Sequence, residues 1–319
     1  MDPSAMSEQP LDGTAPILSR VAFIGIGNMG WPMAANLVKG GFDVTVVDAV
    51  PGRAEKFAAE IGGKAGDTVA LAVQGVDVVI TILPTSKQVA AVVDEMRPHL
   101  APGMLVVDMS SGVPATTRAI AADLAILGVS MIDCPVSGGV ARARSGELAI
   151  LAGGNDDDIE RAARLLRTMG GSIRGCGGIG AGQAMKALNN LVSAGGFLIG
   201  IEALLIGQRF GLDPAVMVGA LNSSTGMNNS TQRKFRQFVL SRQFDSGFGL
   251  DLMVKDLSIA LELGRDTATP TPFAALCREM WASAANLLGP GQDHTAVAQL
   301  SERLVGTTLG GGNHTNSLD

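Results

Sequence analysis

The chain has 319 residues and a formal charge of −6, from 24 Lys and Arg against 30 Asp and Glu, so it lacks the strongly basic character of nucleic-acid-binding proteins. Apolar residues make up 46% of the sequence and charged residues 17%, which excludes intrinsic disorder and predicts a large buried core. The length predicts two domains. Three widely spaced cysteines without a Cys-x-x-Cys pair exclude a disulfide framework and favour the reducing cytoplasm.

The first residues, 1–19, are rich in Pro, Ser, Asp and Gly and contain no apolar segment. This composition is not that of a signal peptide, so we predict a flexible tail. Residues 306–319 contain a glycine run with polar neighbours, and we predict a second flexible tail there.

Residues 20–182 alternate short β-branched runs with helical stretches, which predicts an α/β domain with a doubly wound parallel sheet. Most of these runs are continuously apolar, as expected for strands that are covered on both faces. The predicted strands are 21–24, 43–48, 77–83, 104–109, 130–133 and 147–152.

The first predicted strand leads directly into a glycine-rich turn, and a helix follows. Its first glycine permits the tight bend, the second lets the backbone approach a pyrophosphate, and the third lets the helix pack on the strand. The helix N-terminus then directs N–H groups at the phosphates. We therefore predict a dinucleotide-binding turn formed by Gly25, Ile26, Gly27, Asn28, Met29 and Gly30.

Asp48 ends the second predicted strand. A carboxylate at this position accepts the ribose hydroxyls and repels a 2′-phosphate, so the sequence favours NAD over NADP. Arg53 is interpreted as a surface residue that begins the next helix, the alternative being that it weakens this preference. Leu83 and Pro84 follow a later strand, at the sheet edge where the dinucleotide is expected, although Pro84 alternatively only ends the strand.

A second glycine-containing turn, Ser137-Gly138-Gly139, follows the strand at 130–133. It exposes one hydroxyl beside two residues without side chains, and such a turn offers backbone N–H groups and the Ser137 hydroxyl to a carboxylate. A purely structural turn is the alternative.

Residues 183–305 are predicted to form an all-helical domain. Its first helix, 183–210, is long enough to span a membrane, but Asn189, Asn190 and Glu202 would be costly in lipid. We therefore predict a buried helix and no membrane partner. Because its apolar residues lie nearly all round, we expect a homodimer or homotetramer. Later helices are predicted at 214–222, 228–241, 250–264, 271–288 and 295–304.

Lys186 and Asn190 are four residues apart and share one face of this apolar helix. Burial lowers the pKa of an amine, which brings Lys186 towards the range in which it exchanges protons near neutral pH. The alternative is a lysine that extends to the surface or pairs with an acidic residue.

Together with the later Val254-Lys255-Asp256-Leu257 segment, these motifs resemble the β-hydroxyacid dehydrogenase family, which includes 3-hydroxyisobutyrate dehydrogenases and tartronate semialdehyde reductases. The likeness spans residues 20–304. It implies an N-terminal Rossmann domain, an all-helical C-terminal domain, and NAD-dependent oxidation of a small 3-hydroxy acid at its β-carbinol carbon. No metal is required, in agreement with three histidines that share no ligand cluster.

The resemblance also implies roles for individual residues. Lys186 would transfer the proton and Asn190 would orient the substrate. The other implied residues are Ser137, Gly138 and Gly139 at the substrate carboxylate, Ser111 near the nicotinamide, Lys255 between cofactor and substrate, and Phe248 as an aromatic wall.

Departures from the family pattern leave alternatives for the substrate. Asn189 replaces the histidine of members that act on phosphorylated sugar acids, which favours a small non-phosphorylated acid, and Lys186 argues against an imine reductase. The polar segment 222–231 either faces the site or only caps helices. If it faces the site, tartronate semialdehyde, glycerate, threonate or serine becomes a candidate substrate. A catalytically silent NAD-binding scaffold is the remaining alternative.

Overall fold

The computed structural model describes residues 18–310. The rest of the two predicted tails, 1–17 and 311–319, lies outside the described residues. Residues 306–310, predicted as part of the second tail, instead pack on the helical lobe. Leu309 is buried, its N–H group donates to Glu302, and the Gly310 N–H group donates to Gln208. This part of the prediction was wrong because one apolar side chain among the polar residues fills a gap in the core.

The first lobe alternates strands and helices. Its first half contains β1 Arg20–Ile24, α1 Gly30–Lys39, β2 Asp43–Val47, α2 Arg53–Ile61, β3 Lys64–Ala65, α3 Val69–Ala72, β4 Val78–Thr81, and α4 Ser86–Met96 with a short 3-10 turn at Arg97–His99. Its second half contains β5 Leu105–Asp108, α5 Pro114–Ile126, β6 Ser130–Asp133, β7 Val136–Ser137, α6 Gly139–Ser145, β8 Leu148–Gly153, α7 Asp156–Met169 and β9 Gly170–Gly177.

The strands form one sheet in the order β3-β2-β1-β4-β5-β6-β8-β7, and β9 pairs with β8. The six neighbouring strands β3, β2, β1, β4, β5 and β6 run parallel to one another, whereas β8 runs antiparallel to β6 and β7. Buried apolar clusters cover both faces of the sheet, so the predicted doubly wound α/β fold is confirmed. Strands β3, β7 and β9 were not predicted, because β3 and β7 are two residues long and β9 is rich in glycine.

The second lobe is helical throughout. It contains α8 Ala181–Phe210, α9 Pro214–Asn222, α10 Asn229–Arg233, a π-helical turn at Phe235–Leu240, α11 Leu250–Asp266, α12 Pro272–Leu288, a 3-10 turn at His294–Val297, and α13 Ala298–Val305. The helix predicted at 228–241 is interrupted at Lys234, where φ is −128°. The division of domains at residue 182 stays a prediction.

The long helix α8 forms the centre of the second lobe, where Phe197, Phe235 and Trp281 pack edge to face. By length and composition alone α8 could cross a membrane, yet 56% of its most apolar 18-residue window is buried inside the protein. This burial is typical of a core helix, which is what the sequence predicted.

Candidate active site

The glycine turn between β1 and α1 is built by close backbone packing. A Cβ atom on Gly30 would lie 1.9 Å from the Gly25 carbonyl oxygen, and one on Gly25 would lie 2.5 Å from the Ile82 carbonyl oxygen. A Cβ atom on Gly27 would meet nothing within 4 Å. The outer glycines therefore let the turn close, while Gly27 leaves open space where a pyrophosphate can approach the backbone.

The neighbouring residues complete this groove. Ile26 is buried, Met29 is partly buried and Asn28 is exposed. Leu83 lies beside Gly25, since its Cδ2 atom would be 2.9 Å from a Cβ at that position. Pro84 is exposed at the rim. The residues present thus fit a dinucleotide along the edge of β1 and β4.

Asp48 is anchored to the glycine turn. Its carboxylate accepts N–H groups from Ile26 at 2.9 Å and from Val50 at 2.8 Å, and it pairs with the Arg53 guanidinium at 2.9 Å. Arg53 does begin a helix, as predicted, but it is more than a surface residue because its charge neutralises Asp48. The pair still leaves a carboxylate at the end of β2, where NAD requires one.

Two buried carboxylates dock the start of α8 on the ends of β5 and β6. Asp133 accepts the backbone N–H groups of Gly180 at 2.6 Å and Gln183 at 2.7 Å. Asp108 accepts the Gln183 side-chain amide at 2.8 Å. Burial raises the pKa of Asp133 to about 6 and also raises the pKa of Asp108. These contacts fix the first turn of α8, and Lys186 follows one turn later.

Lys186 is 8% exposed. Its Nζ atom makes no hydrogen bond or ion pair with any residue between 18 and 310, so the structure does not support the alternative of a paired or surface lysine. Burial lowers the pKa of this amine, the nearby Asp256 carboxylate raises it, and the Lys255 charge lowers it. The balance favours a group that exchanges protons closer to neutral pH than a free lysine does.

Asp256 joins the two lobes. Its buried carboxylate accepts the Asn190 side-chain amide at 2.5 Å and the Ser111 hydroxyl at 2.8 Å, and it lies 3.2 Å from the Lys255 Nζ atom. The Lys255 ammonium also donates to the Ser111 and Pro84 carbonyl oxygens. Three of the predicted residues therefore meet around a carboxylate that was not predicted as a site residue, and Pro84 joins them through Lys255.

The Ser137 turn connects β7 to α6 at the antiparallel end of the sheet. Ser137 is in β7, opposite Ala149, and Gly138 and Gly139 have φ values of +135° and +71°. A Cβ on Gly247 would lie 4.0 Å from Val140, so this turn faces the loop before α11. The Ser137 hydroxyl makes no hydrogen bond within residues 18–310, and therefore none with Lys186.

Phe248 belongs to that same loop. Its N–H group donates to Asp293 at 3.2 Å, and its ring packs edge-on against His294 with ring centres 5.5 Å apart. The polar segment 222–231 turns out to supply helix caps. The Asn228 side chain accepts the backbone N–H groups of Ser230 and Thr231, and the Asn228 N–H group donates to the Thr231 hydroxyl.

Several residues of the site were missed. The motif containing Asp256 was recognised, but the carboxylate was not singled out, because α11 carries other acidic residues and the sequence alone does not show which of them is buried. Asp108, Asp133 and Gln183 are far apart in sequence, so no local pattern pointed to them. Within the described part of the chain no group of three or more His, Cys, Asp or Glu side chains is placed to hold a metal, and metal-free chemistry stays a prediction.

Both lobes match known protein families. Residues 20–178 match the family described as the NAD binding domain of 6-phosphogluconate dehydrogenase, and residues 180–301 match that described as NAD-binding of NADP-dependent 3-hydroxyisobutyrate dehydrogenase. An NAD-dependent L-serine dehydrogenase of Pseudomonas aeruginosa is 36% identical over 83% of this chain and 91% of its own length.

Two further relatives cover more of the chain. A 2-(hydroxymethyl)glutarate dehydrogenase of Eubacterium barkeri is 33% identical over 92% of this chain and 98% of its own. The structure of Mycobacterium tuberculosis 3-hydroxyisobutyrate dehydrogenase with L-serine superposes with a TM-score of 0.82 at 32% identity, covering 88% of this chain and 98% of that one. Identity at this level over nearly whole chains, with the NAD-binding groove described above, shows that this chain is an NAD-dependent enzyme of the β-hydroxyacid dehydrogenase family.

Proposed function

We propose that this enzyme oxidises the β-carbinol of a small 3-hydroxy acid, with Lys186 as the general acid and base. The observation that carries the proposal is the amine of Lys186, which is buried in the cleft and lacks a partner among residues 18–310. A buried amine that makes no direct ion pair or hydrogen bond is costly unless the protein uses it. Its pKa is lowered by burial, which suits a proton acceptor.

The residues around the cleft suggest how the substrate is held. The Ser137 hydroxyl and the N–H groups of Gly138 and Gly139 would bind its carboxylate, which turns the carbinol hydroxyl towards Lys186. Asn190 would donate or accept a hydrogen bond at the same hydroxyl, since its amide is oriented by Asp256. Phe248 would close the apolar side of the pocket.

The glycine turn and Asp48 would hold NAD, which would supply the hydride acceptor for the carbinol carbon. As that carbon loses hydride its hydroxyl becomes more acidic, and neutral Lys186 takes the proton. In the reverse direction the Lys186 ammonium donates the proton to the carbonyl oxygen. The Lys255 ammonium, held by the Ser111 and Pro84 carbonyl oxygens, sits at the mouth of the dinucleotide groove.

A substrate panel tests the proposal. Formation of NADH is followed at 340 nm with 3-hydroxyisobutyrate, L-serine, glycerate, threonate and 2-(hydroxymethyl)glutarate, and with tartronate semialdehyde in the reverse direction. We expect turnover of 3-hydroxyisobutyrate-like acids, in line with the names of the relatives. A flat signal for every compound, with NAD bound, would instead favour the silent scaffold.

The case for a strongly hydroxylated substrate is reduced by the caps in segment 222–231. Asn228 and Thr231 cap α10, and the Asn222 and Ser223 side chains donate to backbone carbonyl oxygens, so part of this polarity has a structural explanation. The buried Asn222 Oδ1 atom and Ser230 hydroxyl have no hydrogen-bond partner among the described residues. Serine remains a candidate because two of the relatives carry it in their names.

We propose that the enzyme is a homodimer or homotetramer that works in the cytoplasm without nucleic-acid or membrane partners. Helix α8 exposes an apolar stripe in which every seventh residue points outwards: Met185, Val192, Ile199 and Ile206, with Val192 77% exposed. Such a stripe is typical of a helix covered by another helix. Ile206→Glu should shift the sedimentation profile towards monomer, whereas Ile126→Glu, on the exposed surface of α5, should not.

A further inference from the structure

A second lysine of the helical lobe, Lys234, lies in the same cleft as Lys186. It occupies the break between α10 and the π-helical turn. Its Nζ atom lies 2.9 Å from the His294 Nε2 atom and 3.5 Å from the Ser193 hydroxyl oxygen. Within residues 18–310 no Asp or Glu oxygen lies within 4.0 Å of this ammonium. Its two hydrogen-bond partners are the Ser193 hydroxyl and the His294 imidazole.

The position of Ser193 places this ammonium along the substrate face of α8. Lys186, Asn190 and Ser193 are four and then three residues apart, which puts them on one side of the helix. At ~1.5 Å per residue, Ser193 is roughly 10 Å along the axis from Lys186. The two amines are close enough to interact electrostatically, since the Lys186 charge lowers the pKa of Lys234. Lys234 therefore lies near the face of α8 that carries Lys186 and Asn190, about two helical turns beyond Lys186.

His294 holds Lys234 without neutralising it. The ammonium can only donate, so the His294 Nε2 atom accepts and the ring proton lies on Nδ1. That Nδ1 atom lies 3.0 Å from the Ser246 hydroxyl oxygen and 3.4 Å from an Asp293 carboxylate oxygen. Burial lowers the pKa of His294, and Asp293 raises it in part. A neutral imidazole fixes the direction of the Lys234 side chain but supplies no counter-charge.

The nearest carboxylate is already engaged. Asp293 accepts the N–H groups of Gly247 and Phe248 and the hydroxyls of Ser246 and Thr295. Its negative charge thus serves the loop that faces the Ser137 turn. Burial lowers the pKa of Lys234 to about 8, with Asp293 raising it in part. The Lys234 ammonium is thus oriented by His294, half-buried, and only partly balanced by the charge of Asp293.

We propose that Lys234 binds a second carboxylate of the substrate, so that the preferred substrates are 3-hydroxy acids whose 2-substituent ends in an anionic group. The inference rests on the proposed function, because it takes the first carboxylate to the Ser137 turn and the carbinol to Lys186. A substituent of two or three carbons reaches from that carbinol along α8 towards Ser193. A charge-assisted hydrogen bond at its end offsets the desolvation of the ammonium.

Matched substrates and variants test this assignment. The ratio of kcat/KM for 2-(hydroxymethyl)glutarate to that for 2-(hydroxymethyl)pentanoate, which ends in a methyl group, is measured in three proteins. We expect the wild type to prefer the dianion by roughly 10- to 100-fold, the range of a charge-assisted hydrogen bond. Lys234→Met should remove most of that preference, and Lys234→Arg should retain part of it. The exposed control Lys56→Met carries the same charge change and should keep the wild-type ratio.

A binding measurement separates the two proposals. Calorimetric titration of the NADH-loaded enzyme with 2-methylglutarate and 2-methylpentanoate needs no turnover, since neither compound has the reacting hydroxyl. Tighter binding of 2-methylglutarate, lost in Lys234→Met, supports the assignment even if every hydroxy acid fails as a substrate. Equal ratios in wild type and Lys234→Met, in either assay, overturn it and leave the proposed function standing.

Discussion

Asp48 and Asp256 both anchor a site, and they do so over very different distances along the chain. Asp48 binds Ile26, Val50 and Arg53, which all lie between the end of β1 and the start of α2. Asp256 binds Ser111 and Asn190, which come from different lobes and are 145 and 66 residues away. The cofactor region is thus assembled locally, whereas the chemical region exists only when the lobes close on each other.

This difference predicts two separable sets of effects. Substitutions in the cofactor region should change the choice between NAD and NADP and leave proton transfer intact. Substitutions around Asp256 should change turnover and its pH dependence and leave NAD affinity intact.

The largest effect is expected for Lys186→Ala. Removing a positioned proton-transfer group costs roughly 10² to 10⁴-fold, so kcat for 3-hydroxyisobutyrate oxidation should fall by that factor. NAD affinity, followed by quenching of Trp fluorescence, should change little because Lys186 lies outside the glycine turn. Turnover close to that of the exposed control Lys56→Ala would mean that another group is the base.

Asp256→Asn should lower kcat/KM by about 10- to 100-fold. The amide cannot serve as a charged acceptor for both the Ser111 hydroxyl and the Asn190 amide, and such charged hydrogen bonds contribute about 1.5–3 kcal/mol each. The control Asp266→Asn lies on the exposed end of the same helix and should behave as wild type. Equal loss of NAD affinity in Asp256→Asn would contradict the separation of the two regions.

Asp48→Asn should change the NAD to NADP ratio of kcat/KM by roughly 10-fold in favour of NADP. The substitution removes the negative charge that repels a 2′-phosphate and releases the Arg53 guanidinium to attract one. Asp43→Asn, at the other end of β2, is the matched control because Asp43 pairs with the exposed Lys64 instead. An unchanged ratio would show that Asp48 does not select the cofactor.

The smallest effect is a shift in the pH profile. Oxidation requires neutral Lys186, so kcat/KM should rise with pH through the pKa of that amine. Asp256 raises this pKa and Lys255 lowers it. The midpoint should therefore move to lower pH in Asp256→Asn and to higher pH in Lys255→Met, measured from about pH 6 to about pH 10. Shifts of the same sign in both variants would show that the electrostatic account is wrong.

Much of the fold and part of the site were accessible from the sequence. The glycine turn, the strand that ends at Asp48 and the helix that carries Lys186 were predicted because each rests on a local pattern. The helix predicted at 228–241 was drawn too long because nothing in its periodicity signals the break at Lys234. Strand β9 was missed because its glycines hide a pairing with β8 that only the folded sheet provides.

The sequence by itself determined the α/β order of elements and the nucleotide-binding turn, and it pointed to Lys186 as the candidate proton-transfer residue, since these depend on neighbours within a few tens of residues. Tertiary structure alone decided that Asp256 links Ser111 to Asn190, that Asp108 and Asp133 hold α8 against the sheet, and that Lys234 lies beside His294. Such contacts join residues far apart in the chain, and burial and electrostatic balance arise only once these distant surfaces exclude water together.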